Sequence, residues 1–105
     1  MHSYATPKVA KVALASGDEN DFAFAWQNPE RTPIIVTRVL VDITTAGGTA
    51  SAELDIGTAA NATTKGDNLI DGLDVNTTGI FDNITDGGTN GKSRQRLDAK
   101  GGTID

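Results

Sequence analysis

From Ile34 to Thr44 the chain reads Ile-Ile-Val-Thr-Arg-Val-Leu-Val-Asp-Ile-Thr, and eight of these eleven residues are β-branched. Branching at Cβ stiffens χ1 and suits a pleated surface better than a helix. Under period-2 alternation, Ile35, Thr37, Val39, Val41 and Ile43 share one face. Arg38 and Asp42 mark the other, together with Ile34, Val36 and Leu40. A strand apolar on both sides is expected to be central and largely covered.

Two neighbouring stretches repeat the alternation. Between Asp21 and Gln27, Phe22, Phe24 and Trp26 fall on one face and Ala23 and Ala25 on the other. Three of the five aromatic rings of the chain lie here, so this ladder is expected to anchor the core. After the Ala46-Gly-Gly-Thr49 turn, Ala50, Ala52, Leu54 and Ile56 alternate with Ser51, Glu53 and Asp55, which predicts a hairpin with the run that starts at Ile34. The expected core anchors are Phe22, Phe24, Trp26, Val39, Val41, Leu54 and Ile56.

The remaining segments are shorter. Residues 1–8 read as a flexible polar arm, and Val9–Ala15 as a first strand with small side chains on both faces. Gly57 to Asp67 is a long small-residue loop. Asn68–Val75 is ambiguous, because Leu69, Ile70 and Leu73 fit one helical turn while Gly72 keeps any such turn brief. Thr78–Ile84 reads as a short strand, and Thr85–Gly91 is nearly all turn chemistry. In Lys92–Ala99, charged Lys92, Arg94, Arg96 and Asp98 alternate with Ser93, Gln95, Leu97 and Ala99, as on an edge strand whose solvent face is charged. At Gly101-Gly-Thr-Ile-Asp105 a turn leads into a strand that has barely begun. Either that strand is two or three residues long or the chain is cut before its last element, and the second is favoured because strands average about five to six residues.

Composition agrees with short strands joined by many turns. The 105 residues hold 12 Gly, 11 Asp and 7 Asn against only 3 Glu and 5 Lys, so turn formers are plentiful and strong helix formers scarce. The expected architecture is all-β: a single-domain, jelly-roll-like β-sandwich of about seven to eight short strands spanning residues 9–105.

The residue inventory also bounds the chemistry. With no Cys there is neither a disulfide nor a thiolate zinc site, and the single His, at position 2, supports no His-based centre. No G-x-S-x-G elbow occurs, and Gly91-Lys-Ser93 only echoes the end of a phosphate loop, since position 86 is Asp rather than Gly. A small hydrolase would need the Asp-rich loops to line a cleft. The expectation is a protein that is not an enzyme and carries no cofactor.

A net charge of −5 repels phosphates, so no nucleic-acid partner is expected, although Lys92, Arg94 and Arg96 would make a local basic edge. No apolar run nears the ~20 residues of a membrane span, so no membrane partner is expected either. The N-terminal sequence lacks a secretory pattern, and synthesis in a host cytoplasm is the corresponding expectation. The N-x-T triplets at Asn61, Asn76 and Asn83 then read as by-products of composition. Asp67, Asp71, Asp74, Asp82 and Asp86 are the calcium candidates, but their spacing matches no EF-hand loop and Asp is what turns demand.

The stretches Phe22–Pro29, Ile34–Asp42, Ala52–Gly57, Asp67–Asp74 and Gly79–Asn83, Thr-, Ala-, Gly- and Asp-rich with few Lys, resemble small β-rich structural proteins of tailed bacteriophages, nearest the capsid decoration (cement) and head-fibre kinds. The likeness runs from residue 20 to 105. It implies a β-sandwich or jelly roll, often trimeric, bound to the major capsid protein on the outer surface of the virion, with no catalytic residue and a further strand after Asp105. The alternative from the residues is a carbohydrate- or receptor-binding module, calcium-dependent or not, using Trp26, Tyr4 or Phe81.

Overall fold

The computed structural model describes residues 9–14, 22–47, 52–60, 66–98 and 102–104. Among these there is no helix, hence none long and apolar enough to cross a membrane. Nine short strands carry the fold: β1 (Trp26–Gln27), β2 (Ile34–Val36), β3 (Leu40–Ile43), β4 (Glu53–Ile56), β5 (Thr58–Ala59), β6 (Ile70–Asp74), β7 (Gly79–Asp82), β8 (Gln95–Leu97) and β9 (Thr103–Ile104).

The pairing is antiparallel throughout and nested. β4 pairs with β6, β3 with β7, β2 with β8 and β1 with β9, while β5 folds back onto the free side of β9. The chain from β1 to β9 is thus one long ribbon doubled on itself near β5. The predicted hairpin between Ile34–Thr44 and Ala50–Ile56 does not form. A Gly-rich turn reverses the chain without choosing its partner, and here the Gly47 N–H donates to the Val75 carbonyl at 2.7 Å, tying the turn to the far arm of the ribbon.

The long β-branched run divides into β2 and β3, interrupted at Thr37–Val39. The interruption has a side-chain cause. The Val39 N–H donates to Asn83 Oδ1 at 2.9 Å, the Asn83 N–H donates to the Val39 carbonyl at 3.3 Å, and Asn83 Nδ2 donates to the Lys92 carbonyl at 3.0 Å. Asn83, only 2 % exposed, thereby replaces ladder partners at this step with its own amide. Coverage also differs from the expectation, since Ile35 and Leu40 are exposed.

β6 replaces the ambiguous helical turn. Its register against β4 slips between Leu54 and Ile56, and Gly72 there takes a left-handed φ of 77°. This is a β-bulge. The Gly72 N–H donates to the Asp55 carboxylate at 2.6 Å, satisfying the group that the slip removes from the ladder. One extra residue shifts side-chain parity, so Ile70 and Leu73, three apart, both turn inward. A spacing of three is also helical, which is why the sequence pattern was double-valued.

The core is Val41 and Ile43 from β3, Ile56 from β4, and Leu69, Ile70 and Leu73 on and beside β6, with Phe24, Val36, Val39, Leu54, Val75, Phe81 and Ile104 packed around it. Of the expected anchors, Val41 and Ile56 are central, and Phe24, Val39 and Leu54 are peripheral. Phe22 is exposed and Trp26 half-buried, and among the described residues strand pairing starts at Trp26, past the upstream part of the alternation. Val9–Ala15 is likewise no strand over its described part: residues 9–14 are exposed, Val9 at 96 %. Residues 1–8, with Tyr4, lie outside the described residues.

The strand that the sequence shows as barely begun is held on both flanks. β9 is two residues long yet pairs on both sides, Ile104 opposite Trp26 and Thr58, and Thr103 opposite Gln27 and Ala59. Thr103 is fully buried.

Candidate assembly surface

Two ladders turn an unusual face outward. In β3–β7, register sets Leu40 opposite Asp82 and Asp42 opposite Ile80 on the face away from the core, while Val41 and Phe81 face in. Leu40 is 64 % exposed and Ile80 74 %; Ile84, just past the strand, is exposed as well. Arg38 adds one cation here, its guanidinium 3.0 Å from the Asp82 carboxylate. In β2–β8, Ile35 lies opposite Arg96 and is 56 % exposed, whereas Ile34 faces the buried Leu97. Ile35, Arg94, Gln95 and Arg96 line a shallow open groove.

Asp82 is the most engaged of the acidic residues. Its Oδ1 accepts the N–H groups of Thr85 at 2.7 Å and Ile84 at 2.9 Å, and its Oδ2 accepts from Arg38. The Thr85 amide above all holds this carboxyl below the ordinary aspartate range; desolvation opposes it, and the Ile84 amide and the Arg38 guanidinium add to the lowering.

The other calcium candidates also accept hydrogen bonds from the protein. Asp67 Oδ2 accepts from Asn90 Nδ2, Asp71 Oδ2 from the Asn90 N–H, Asp74 Oδ1 from the Asn76 N–H, and Asp86 Oδ2 from the Asp82 N–H. Asp67 and Asp71 share Asn90, and Asp82 and Asp86 are neighbours, but among the described residues no three or more His, Asp or Glu gather as a metal would require. Of the aromatic candidates for a sugar platform, Phe81 packs on the core and Trp26 is half-buried.

Three buried or half-buried asparagines, which the sequence gives no structural role of this kind, position both faces. Asn83 fixes the step from β2 to β3. Asn28 donates from Nδ2 to the Thr32 and Asp98 carbonyls, each at 3.1 Å, and accepts the Glu30 N–H at 2.9 Å. Asn68 accepts the Thr58 N–H at 2.8 Å and donates to Thr58 Oγ1 at 2.8 Å, while its carbonyl accepts from Gln95 Nε2 at 3.0 Å. Asn83 is one of the N-x-T asparagines, and its buried, fully bonded amide is closed to a glycan in the folded chain.

No protein-family model matches this chain, and no curated protein or solved structure matches it significantly.

Proposed function

We propose that the chain is a non-enzymatic structural protein of a bacteriophage virion, a jelly-roll β-sandwich that self-associates and decorates the outer capsid surface by binding the major capsid protein. The observation that carries this reading is the placement of large aliphatic side chains. Ile35, Leu40 and Ile80 are each more than half exposed on hydrogen-bonded ladders, while the buried aliphatic core of the described residues amounts to seven side chains. A small core leaves little stability to spare, and apolar faces fixed on strands gain most when another surface covers them.

The nested order of pairing supports the jelly-roll assignment, since that fold is a doubled antiparallel ribbon rolled into two sheets. Many weak, identical contacts on a capsid lattice add through multivalency, which suits a domain of this size. An acidic surface keeps such a coat soluble.

Two measurements test the reading. Light scattering with and without calcium is expected to give a calcium-independent oligomer, a trimer in the first instance; a monomer that responds only to calcium would shift the function to a binding module. Immunogold labelling of virions from the producing culture, with antibody to this chain, is expected to decorate heads. Antigen in the lysate but absent from particles would overturn the virion assignment.

A further inference from the structure

We propose that the β2–β8 face of one copy docks on the β3–β7 face of a second copy, unlike face against unlike face. The inference rests on the self-association just proposed and names its contact.

The two faces share a layout and differ in sign. On β2–β8 an aliphatic residue, Ile35, stands directly across the ladder from a cation, Arg96, with Arg94 two residues back on the same side. On β3–β7 an aliphatic residue, Ile80, stands directly across from an anion, Asp42, and Leu40 across from Asp82. Directly opposed side chains in antiparallel ladders sit about 4.5–5.5 Å apart, and residues i and i+2 about 7 Å apart, so the faces carry the same grid. Laid together, Ile35 meets the Leu40–Ile80 patch while the arginines meet carboxylates.

The charges are available for this. Neither Arg94 nor Arg96 forms an ion pair among the described residues, and the Asp42 carboxylate has no hydrogen-bond or ion-pair partner there. Arg38 neutralises Asp82, but Asp42 and the nearby Asp86 leave the face net acidic.

A second copy is the occupant that fits. The chain is net −5, so two copies repel at a distance, and contact of like faces would set arginine on arginine or aspartate on aspartate. Only the unlike arrangement pairs aliphatic with aliphatic and cation with anion. Because both faces lie on paired strands rather than loops, docking orders little backbone. A contact between unlike faces leaves one of each kind free until the assembly closes, so a small ring is the expected product.

The test uses charge reversal with mixing, on the full chain. Arg94→Glu combined with Arg96→Glu makes one variant, and Asp42→Lys the other; all three positions are exposed, so circular dichroism should remain that of the wild type. By sedimentation velocity over a concentration series, each variant alone should associate about a hundredfold more weakly than the wild type. An equimolar mixture should recover association that neither variant shows alone, because the intact β2–β8 face of the Asp42→Lys variant docks on the intact β3–β7 face of the arginine-reversed one. Asp42→Lys is the sharper variant, since it moves the net charge toward neutrality and would strengthen any association limited by general repulsion. Arg31→Glu, on the exposed β1–β2 loop, should leave the mass unchanged. Wild-type association with both reversals silent, or with no recovery on mixing, would overturn the docking while leaving self-association intact. A wild type that is monomeric throughout would overturn self-association and the docking with it.

Discussion

The β4–β6 pair and the β2–β8 pair are both short antiparallel ladders, yet they are held by different means. β4–β6, next to the fold of the ribbon, is closed by apolar side chains: Ile56, Leu69, Ile70 and Leu73 are all buried there. β2–β8, further out, has one fully buried apolar residue, Leu97, and is flanked by asparagines whose amides bond backbone across the two arms, Asn28 donating to the Asp98 carbonyl and Asn83 accepting from the Val39 N–H. Hydrophobic burial is non-directional, so it makes the inner pair compact but does not dictate how its edges lie. Amide bonds are directional, and they set where the outer ladder sits while its outward face stays uncovered. A small chain can thus fix the position of a surface without burying it.

Substitutions at matching positions should separate the two mechanisms. Ile70→Ala, in the inner pair, is expected to cost about 2–5 kcal/mol by lost burial and a residual cavity, whereas Ile35→Ser on the outer ladder should stay within about 0.5 kcal/mol. Urea titration measures both, and a similar cost at the two sites would erase the distinction. Asn83→Ala should cost about 2–3 kcal/mol, since it strands the Val39 N–H and the Lys92 carbonyl in a buried place. Hydrogen exchange at Val39 should accelerate more in this variant than exchange within β4–β6.

Gly72→Ala should cost about 1–2 kcal/mol through the left-handed φ, there being open space around the added methyl group apart from Glu53 Oε2 at 3.4 Å. Gly88 is a harsher case. Its φ is 72°, and a Cβ would run into the Asp71 carbonyl. The smallest effect concerns acid. The carboxyl of Asp82 is depressed in the folded chain, so its contribution is present above the unfolded value of about 3.9 and is lost as pH falls through the lower folded value. Asp82→Asn should therefore flatten the stability profile below about pH 4 and leave it parallel to wild type near neutrality.

What the sequence disclosed follows the range of the interactions. Alternation in Glu53–Ile56, Gly79–Asp82 and Gln95–Leu97 is local, and these strands, with Leu97 inward and Arg94 and Arg96 outward, stand where the pattern puts them. The break at Thr37–Val39 is set by an asparagine forty-four residues away and carries no Gly or Pro to announce it. Pairing partners are equally non-local: the Ala46–Thr49 turn chemistry predicts a reversal, but β3 finds its partner in β7 and β4 in β6. For the candidate surface, β-branched residues point to strands, but which face is covered depends on neighbours that arrive late in the chain. Arg94 and Arg96 are legible as a basic edge; Ile35 and Leu40 belong to a run expected to be largely covered, and nothing in the short strand around Ile80 announces its exposure.

The doubled ribbon also has a mechanical consequence. Handles placed at Gln27 and Thr103 would pull on two residues paired with each other in the outermost ladder. Load would then act across one rung at a time, peeling β9 from β1 and from β5 and next β2 from β8 before it reached β3–β7 and β4–β6. Handles at Ile43 and Leu97 would load strands of different ladders together and meet a higher rupture force.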